Sequence, residues 1–126
     1  MAGIVHFSNY FRYMERAEHA FWRSLDLSVI SNHKGDSFTW PRVQAACDYK
    51  APFRFEDKIE VEISVQEVKS KAVTFRFRFR HEGAAEFTAQ GTITAVCAAH
   101  DEAAGRMRAR EIPADIRELL ESRVIA

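Results

Sequence analysis

Residues 59–80 read IEVEISVQEVKSKAVTFRFRFR, and their alternation decides the architecture. Ile59, Val61, Ile63 and Val65 alternate with Glu60, Glu62 and Ser64, while Val73, Phe75, Phe77 and Phe79 alternate with Thr74, Arg76, Arg78 and Arg80. A period of two belongs to a strand with one face on a core and one in water. The two runs read as an antiparallel hairpin turning around Lys69-Ser70-Lys71. Parity constrains that turn. If Val61 and Phe77 share the buried face, paired residue numbers sum to an even value, and a two-residue loop pairing Val68 with Lys71 would set valines against arginines. The spacing therefore predicts an odd-numbered turn or a β-bulge. Glu60 and Glu62 then face Arg76, Arg78 and Arg80 on the outer side, in pairs worth about 0.2–1 kcal/mol each.

Working outward, Val43, Ala45 and Cys47 continue the period of two up to Tyr49, followed by a turn through KAPFRFED. Another strand is predicted over about Ala85 to Ala98. Upstream the period changes: Phe7, Tyr10, Phe11, Met14, Ala17, Phe21 and Leu25 recur in steps of three and four. That spacing predicts an amphipathic helix over Asn9–Leu25, with Ser8 or Asn9 as its N-cap. SVISNHKGDS reads as a loop from its Ser, Asn, Gly and Asp content. After Cys97 come a turn, a short basic segment and a closing helix that starts at Pro113, with Asp115 in its first turn. The predicted fold is α+β: one long helix laid on a curved antiparallel sheet, a single domain over residues 1–126.

Composition removes several classes of function. Eighteen basic side chains balance 18 acidic ones, so no global field draws this chain to nucleic acid or an anionic membrane. In FRFRFR the strand period separates phenylalanines from arginines, so they cannot clamp a base between them. No apolar run is long enough to span a bilayer and no signal segment opens the chain. Cys47 and Cys97 sit in apolar stretches without metal spacing and read as buried free thiols, which places the protein in the cytoplasm. The five histidines, His6, His19, His33, His81 and His100, form no ligand spacing, and no metal is expected. There is no G-x-S-x-G elbow, Walker loop or G-x-G-x-x-G fingerprint.

The opening segment, MAGIVHFSNYFRYMERAEHAF, carries the remaining chemistry. A glycine, an apolar pair and then a helix put free backbone N–H groups at the positive end of a macrodipole. Such a group can polarise a carbonyl oxygen. It can equally be no more than a turn at Gly3 and a cap at Ser8-Asn9, and the residues alone leave both readings open.

AGIVHFSNYFRYMERAE resembles the helix-start motif of the hotdog-fold acyl-CoA thioesterases of the 4-hydroxybenzoyl-CoA thioesterase-like group. YKAPFRFEDKIEVEISVQEVKSKAVTFRFRF is similar to that family's central strands, and GRMRAREIPADIREL to its C-terminal segment. The resemblance implies a hotdog domain, acting as a homodimer or homotetramer with each site between subunits. It implies hydrolysis of an acyl- or aroyl-CoA to the free acid and CoA, with no cofactor beyond the CoA of the substrate. An acyl-CoA-binding module without turnover is the competing reading, and a dehydratase using His19 as base ranks third. By the same resemblance, the Phe7 N–H polarises the thioester carbonyl, Asn9 matches the motif asparagine, and Glu15 matches a helix carboxylate that supports or replaces the base. His6 stands at an aromatic position of the motif, and Phe7 where related motifs have histidine. Lys69, Ser70 and Lys71 in the hairpin turn and Arg108 further on match residues that contact the nucleotide phosphates. The family aspartate falls one position before Met1, so the resemblance implies an upstream first strand carrying it and weak turnover without it. Acyl chain length and aromatic preference stay open.

Overall fold

The computed structural model describes residues 7–27, 30–33, 36–49, 53 and 57–124. The order is α1 (Phe7–Ser24), β1 (Ile30–His33), β2 (Asp36–Thr39), β3 (Arg42–Tyr49), β4 (Ile59–Val68), β5 (Ala72–His81), β6 (Ala89–Val96), β7 (Ala98–Asp101), β8 (Arg106–Ala109) and α2 (Ala114–Glu121). The strands pair antiparallel in two four-stranded sheets, ordered β3-β6-β5-β4 and β1-β2-β7-β8.

The β4–β5 hairpin keeps the parity its sequence demands. Val61 pairs with Phe79, Ile63 with Phe77 and Val65 with Phe75, and the register then shifts between Val65 and Glu67 so that Val68 meets Val73. This is the expected bulge, with Gln66 as the extra residue. Beyond it the Lys69 N–H donates to the Ala72 carbonyl at 2.8 Å. On the outer face Arg78 Nε donates to Glu62 at 3.0 Å and Arg80 Nε to Glu60 at 2.8 Å, as the alternation requires. Arg76 instead faces Ser64. Phe87 lies under both arginines, with the Arg78 guanidinium 4.1 Å and that of Arg80 5.1 Å from its ring centre. The inner face of β5 is fully buried at Val73, Phe75, Phe77 and Phe79. Each phenylalanine there contributes roughly 1.5–3 kcal/mol of burial.

Three expectations are corrected. The stretch read as a loop contains β1 and the start of β2, which pair from Ile30↔Thr39 to His33↔Asp36. The strand predicted over Ala85–Ala98 starts later and divides at Cys97 into β6 and β7. The basic segment after it is β8, paired with β7 from Ala98↔Ala109 to Asp101↔Arg106. In each case pairing between strands overrides local composition.

The two edges of the larger sheet differ. At β4, α2 packs alongside, burying Ile116 and Leu120, and Val124 bridges to Val65. At β3 nearly every residue is exposed, including Val43 at 63% and Tyr49 at 50%. Cys47 is half-buried, Cys97 is buried, and they form no disulfide among the described residues. No helix among the described residues is long and apolar enough to cross a membrane.

Candidate active site

α1 lies across the inner face of the larger sheet because one stripe of it is apolar: Tyr10, Met14 and Trp22 are fully buried, with Ala17 and Phe21 beside them. It runs opposite to β5. Phe21 meets Phe75 at 5.2 Å between ring centres, and Tyr10 meets Phe79 at 5.4 Å. Gly91 on β6 makes the crossing close, since a Cβ there would stand 2.7 Å from the Ala46 carbonyl oxygen and 2.8 Å from Met14 Sδ. Closeness fixes where the first turn of α1 ends up.

That first turn reaches an aromatic nest. Tyr10 stacks on Tyr49 of β3 at 5.2 Å with 4° between planes, and lies 5.9 Å from Phe53. The Phe53 N–H donates to the Tyr10 hydroxyl at 3.3 Å. Burial pushes the Tyr10 pKa up from the ordinary phenol value, against the lowering effect of that N–H, so the hydroxyl stays neutral. On β3, burial and then Asp48 push the Cys47 thiol up to about 11, which leaves it protonated and unreactive at neutral pH. On the outer face of this end of the sheet, opposite α1, a hollow of about 400 Å³ is lined by Asp48, Tyr49, Arg78, Phe87, Thr88, Ala89 and Gln90. The Thr88 hydroxyl is buried, with no hydrogen-bond partner among the described residues. Tyr49, at the sheet edge, is the one residue this hollow shares with the nest.

His81 is the next inward residue of β5 after Phe79. Its ring lies 4.7 Å from that of Phe53, and its Nε2 lies 3.1 Å from Asp57 Oδ2. A second hollow, of about 420 Å³, is lined by Lys58, His81, Glu82 and Gly83.

The other end of α1 is built differently. Glu18 is fully buried and accepts hydrogen bonds from Trp22 Nε1 at 3.1 Å and Arg42 Nε at 2.7 Å. Arg42 Nη2 lies 3.3 Å from His19 Nε2. Arginine can only donate, so that ring nitrogen accepts and the proton sits on Nδ1. Trp22 stacks on Trp40 at 4.7 Å.

The structure separates the residues named from the sequence. Phe7 is the first residue of α1, so its N–H is one of the helix's free amides. Ser8 and Asn9 lie inside the first turn and do not cap it; the preceding residue falls outside the described ones, as does His6. Asn9 is half-buried and Glu15 exposed. Glu15 stands eight residues from Phe7, roughly 12 Å down the helix, and forms no ion pair with His19, whose ring meets Arg42 instead. The first strand and aspartate that the resemblance implies upstream also lie outside the described residues.

Lys69, Ser70 and Lys71 are exposed in the hairpin turn. The turn is anchored through its backbone: the Ser70 carbonyl accepts from Ile112 N–H at 2.9 Å, and that of Lys71 from Cys97 N–H at 2.7 Å. This brings it alongside the chain that follows Arg108 on β8. Lys69 lies 3.4 Å from Glu67, and Arg108 3.2 Å from Asp101. The Ala104 N–H and then Arg108 hold the Asp101 carboxyl below the usual aspartate range. The basic group therefore sits at the opposite end of the β4–β5 hairpin from Phe79 and His81, roughly 30 Å away along ten-residue strands.

Sequence reasoning passed over Glu18, Asp57 and His81. Glu18 falls on the apolar stripe four residues from both Met14 and Trp22, and His81 continues the inward parity of Phe75, Phe77 and Phe79. Both signals are in the chain. Arg42 and Asp57, the partners that give them meaning, become visible only in the fold.

Known proteins share this fold. The sequence model described as the thioesterase-like superfamily matches residues 1–120. A curated protein of Aquifex aeolicus (strain VF5), named "Putative esterase", is 37% identical over 73 residues, which is 58% of this chain and 56% of that protein. The chain thus spans little more than half the length of that relative. The structure of the BH1999 gentisyl-coenzyme A thioesterase superposes with a TM-score of 0.76 at 28% identity, covering 95% of this chain and 89% of that one. A 1,4-dihydroxy-2-naphthoyl-CoA thioesterase from Synechocystis superposes with a TM-score of 0.79 at 21% identity, covering 94% and 84%, and shares the hotdog fold.

Proposed function

This chain belongs to the thioesterase-like superfamily, and from that premise we propose that it hydrolyses the thioester of an acyl- or aroyl-CoA to the free acid and CoA. One observation carries the reading: the N-terminus of α1, with the Phe7 amide at its tip, is delivered to the aromatic nest of Tyr10, Tyr49 and Phe53 at the open end of β3. A helix N-terminus at that place stabilises the oxyanion that forms when the thioester carbonyl is attacked. The neighbour acting on gentisyl-coenzyme A supports a CoA thioester as substrate.

The working unit in this reading is a homodimer or homotetramer. The amide and the basic turn at Lys69–Lys71 lie at opposite ends of one chain's hairpin, too far apart to hold one substrate. Two copies paired antiparallel along β3 place one copy's turn end next to the other's helix N-terminus, and they cover Val43 and Tyr49 on the exposed strand. Lys69, Lys71 and Arg108 then meet the phosphates of a CoA whose thioester lies in the neighbour's nest. We place the protein in the cytoplasm, where the thiols of Cys47 and Cys97 stay reduced.

The test is release of free thiol from a panel of aliphatic and aromatic acyl-CoAs, with the oligomeric state measured by sedimentation. Turnover by a dimer or tetramer is expected. Binding seen as a rise in melting temperature, with thiol release at background, replaces the hydrolase by an acyl-CoA-binding module.

A further inference from the structure

We propose that the outer face of the larger sheet is the surface through which two dimers of this chain join, each copy's Arg76 taking the Asp48 carboxylate of a facing copy. The inference rests on the β3-paired homodimer of the proposed function and names the contact that carries it to a tetramer.

The first observation is the balance of charge on that face. β4 sends Glu60, Glu62 and Glu67 outward, β5 sends Arg76, Arg78 and Arg80, and β3 sends Asp48, while β6 shows Gln90, Thr92 and Thr94. Glu62 holds Arg78, Glu60 holds Arg80, and Glu67 holds Lys69 of the turn. Arg76 and Asp48 are the two charges these strands leave without an ion pair among the described residues. Arg76 is half-buried between Ser64 of β4 and Thr92 of β6, and Asp48 is exposed beside Gln90 on the edge strand. With Arg78 two residues along the same face, the surroundings of Arg76 favour an arriving carboxylate.

The second observation is where the two stand. Asp48 pairs with Gln90 and Gln90 with Arg78, and Arg76 lies two residues beyond. Two strand spacings, about 10 Å, and two residues of rise, about 7 Å, set their backbones roughly 12 Å apart. The midpoint falls on β6 at Gly91. A two-fold axis lying in the plane of contact there, perpendicular to the line between them, exchanges the two positions. Asp48 of each copy then faces Arg76 of the other, an isologous contact. Facing sheets stand about 10 Å apart, a gap that one long guanidinium and one short carboxylate span together.

The third observation is area. Four strands of eight to ten residues present roughly 19 Å by 30 Å of face, and pairing along β3 doubles it. Joining two dimers removes up to about 2,000 Å² in all, within the range of specific interfaces. The face is rich in hydroxyls and amides, with Thr74 and Thr94 bonded at 2.9 Å and Thr92 donating to Gln44 at 3.4 Å. A polar contact of this kind is reversible and weakens with salt.

The test is sedimentation of the full chain over about a hundredfold range of concentration at low and high salt, with thiol release measured in parallel. The parent is expected to pass from dimer to tetramer as concentration rises, and high salt to push that transition upward. Arg76→Asp and Asp48→Arg should each raise the dimer–tetramer dissociation constant at least about 30-fold, with the dimer intact and its thiol release per chain unchanged. Combining the two substitutions restores the tetramer, since each carboxylate again meets a guanidinium. A parent that stays dimeric at every concentration overturns the inference and leaves the thioesterase reading in place. So does a tetramer indifferent to both single variants, or one that the combined variant fails to restore. A parent that stays monomeric overturns it together with pairing along β3. A salt-sensitive tetramer that obeys the variants but releases no thiol removes the thioesterase reading alone.

Discussion

Two acid–base pairs stand at opposite ends of one helix, and they are built in opposite ways. Glu18 and Arg42 form a closed pair: the carboxylate is fully buried, both its oxygens are engaged, and Trp22 supplies the second donor. Asp57 and His81 form an open pair: both side chains keep solvent contact. A buried charge is costly unless every lone pair is met, so the first arrangement suits a strut between α1 and β3. The second, screened by water, costs little to keep and contributes little. Burial, rather than residue type, divides the two.

The sharpest way to break this contrast is at the closed pair. Glu18→Ala removes the carboxylate that the Arg42 guanidinium and the Trp22 indole N–H share and is expected to cost about 3 kcal/mol in urea denaturation. Its kcat per folded molecule should hold. Replacing Glu18 and Arg42 together by leucine should recover most of that loss. If Glu18→Ala instead lowers kcat a hundredfold with little change in stability, Glu18 takes part in the chemistry and is not a strut.

Between the pairs the helix crosses the sheet over Gly91, and this position links them. Gly91→Ala sets a methyl group against a backbone oxygen and the Met14 sulfur, at an expected cost of about 2 kcal/mol. Because lifting α1 also moves its N-terminus, kcat should drop alongside melting temperature. Gly91 is the single site expected to hit both.

At the basic turn, Lys71→Ala should raise KM for acyl-CoA about fivefold, equivalent to about 1 kcal/mol, and leave kcat alone. The same variant should act on a short thioester lacking the nucleotide as the parent does. The smallest effect belongs to Asp101→Asn. The folded-state pKa of Asp101 is depressed, so its contribution is complete above the ordinary aspartate value of about 4 and is lost as pH falls through the lower folded value. Parent and variant melting curves should therefore differ slightly at pH 7 and converge in acid.

Much of this molecule was legible in its residues, for reasons that can be stated. Alternation in β4 and β5 fixed the inner and outer faces, and parity left an odd-numbered turn or a bulge, of which the bulge appears between Val65 and Glu67. The long helix followed from its apolar spacing and begins within two residues of the expected place. The second sheet escaped notice because its strands are four residues each and polar, and because β2 touches β7 only at Thr39↔Ala98, across some sixty intervening positions. Nothing local reports such a contact. The site divided the same way. Phe7 could be placed from its own neighbours, whereas Glu18 needed Arg42, 24 residues on, and His81 needed Asp57, 24 residues back.

The lone extra residue at Gln66 has one more implication, for how this hairpin can change length over time. Because layer assignment follows odd and even positions, removing a single residue from either arm must slide acids toward the interior or phenylalanines toward the solvent. Gains and losses on the two arms should then survive only in twos, or as a loss that deletes the kink itself together with a compensating change at the lysine turn. The arm is thus quantised: it can grow or shrink by whole pleats, and the distance from the basic tip to the aromatic end moves in steps of about 7 Å.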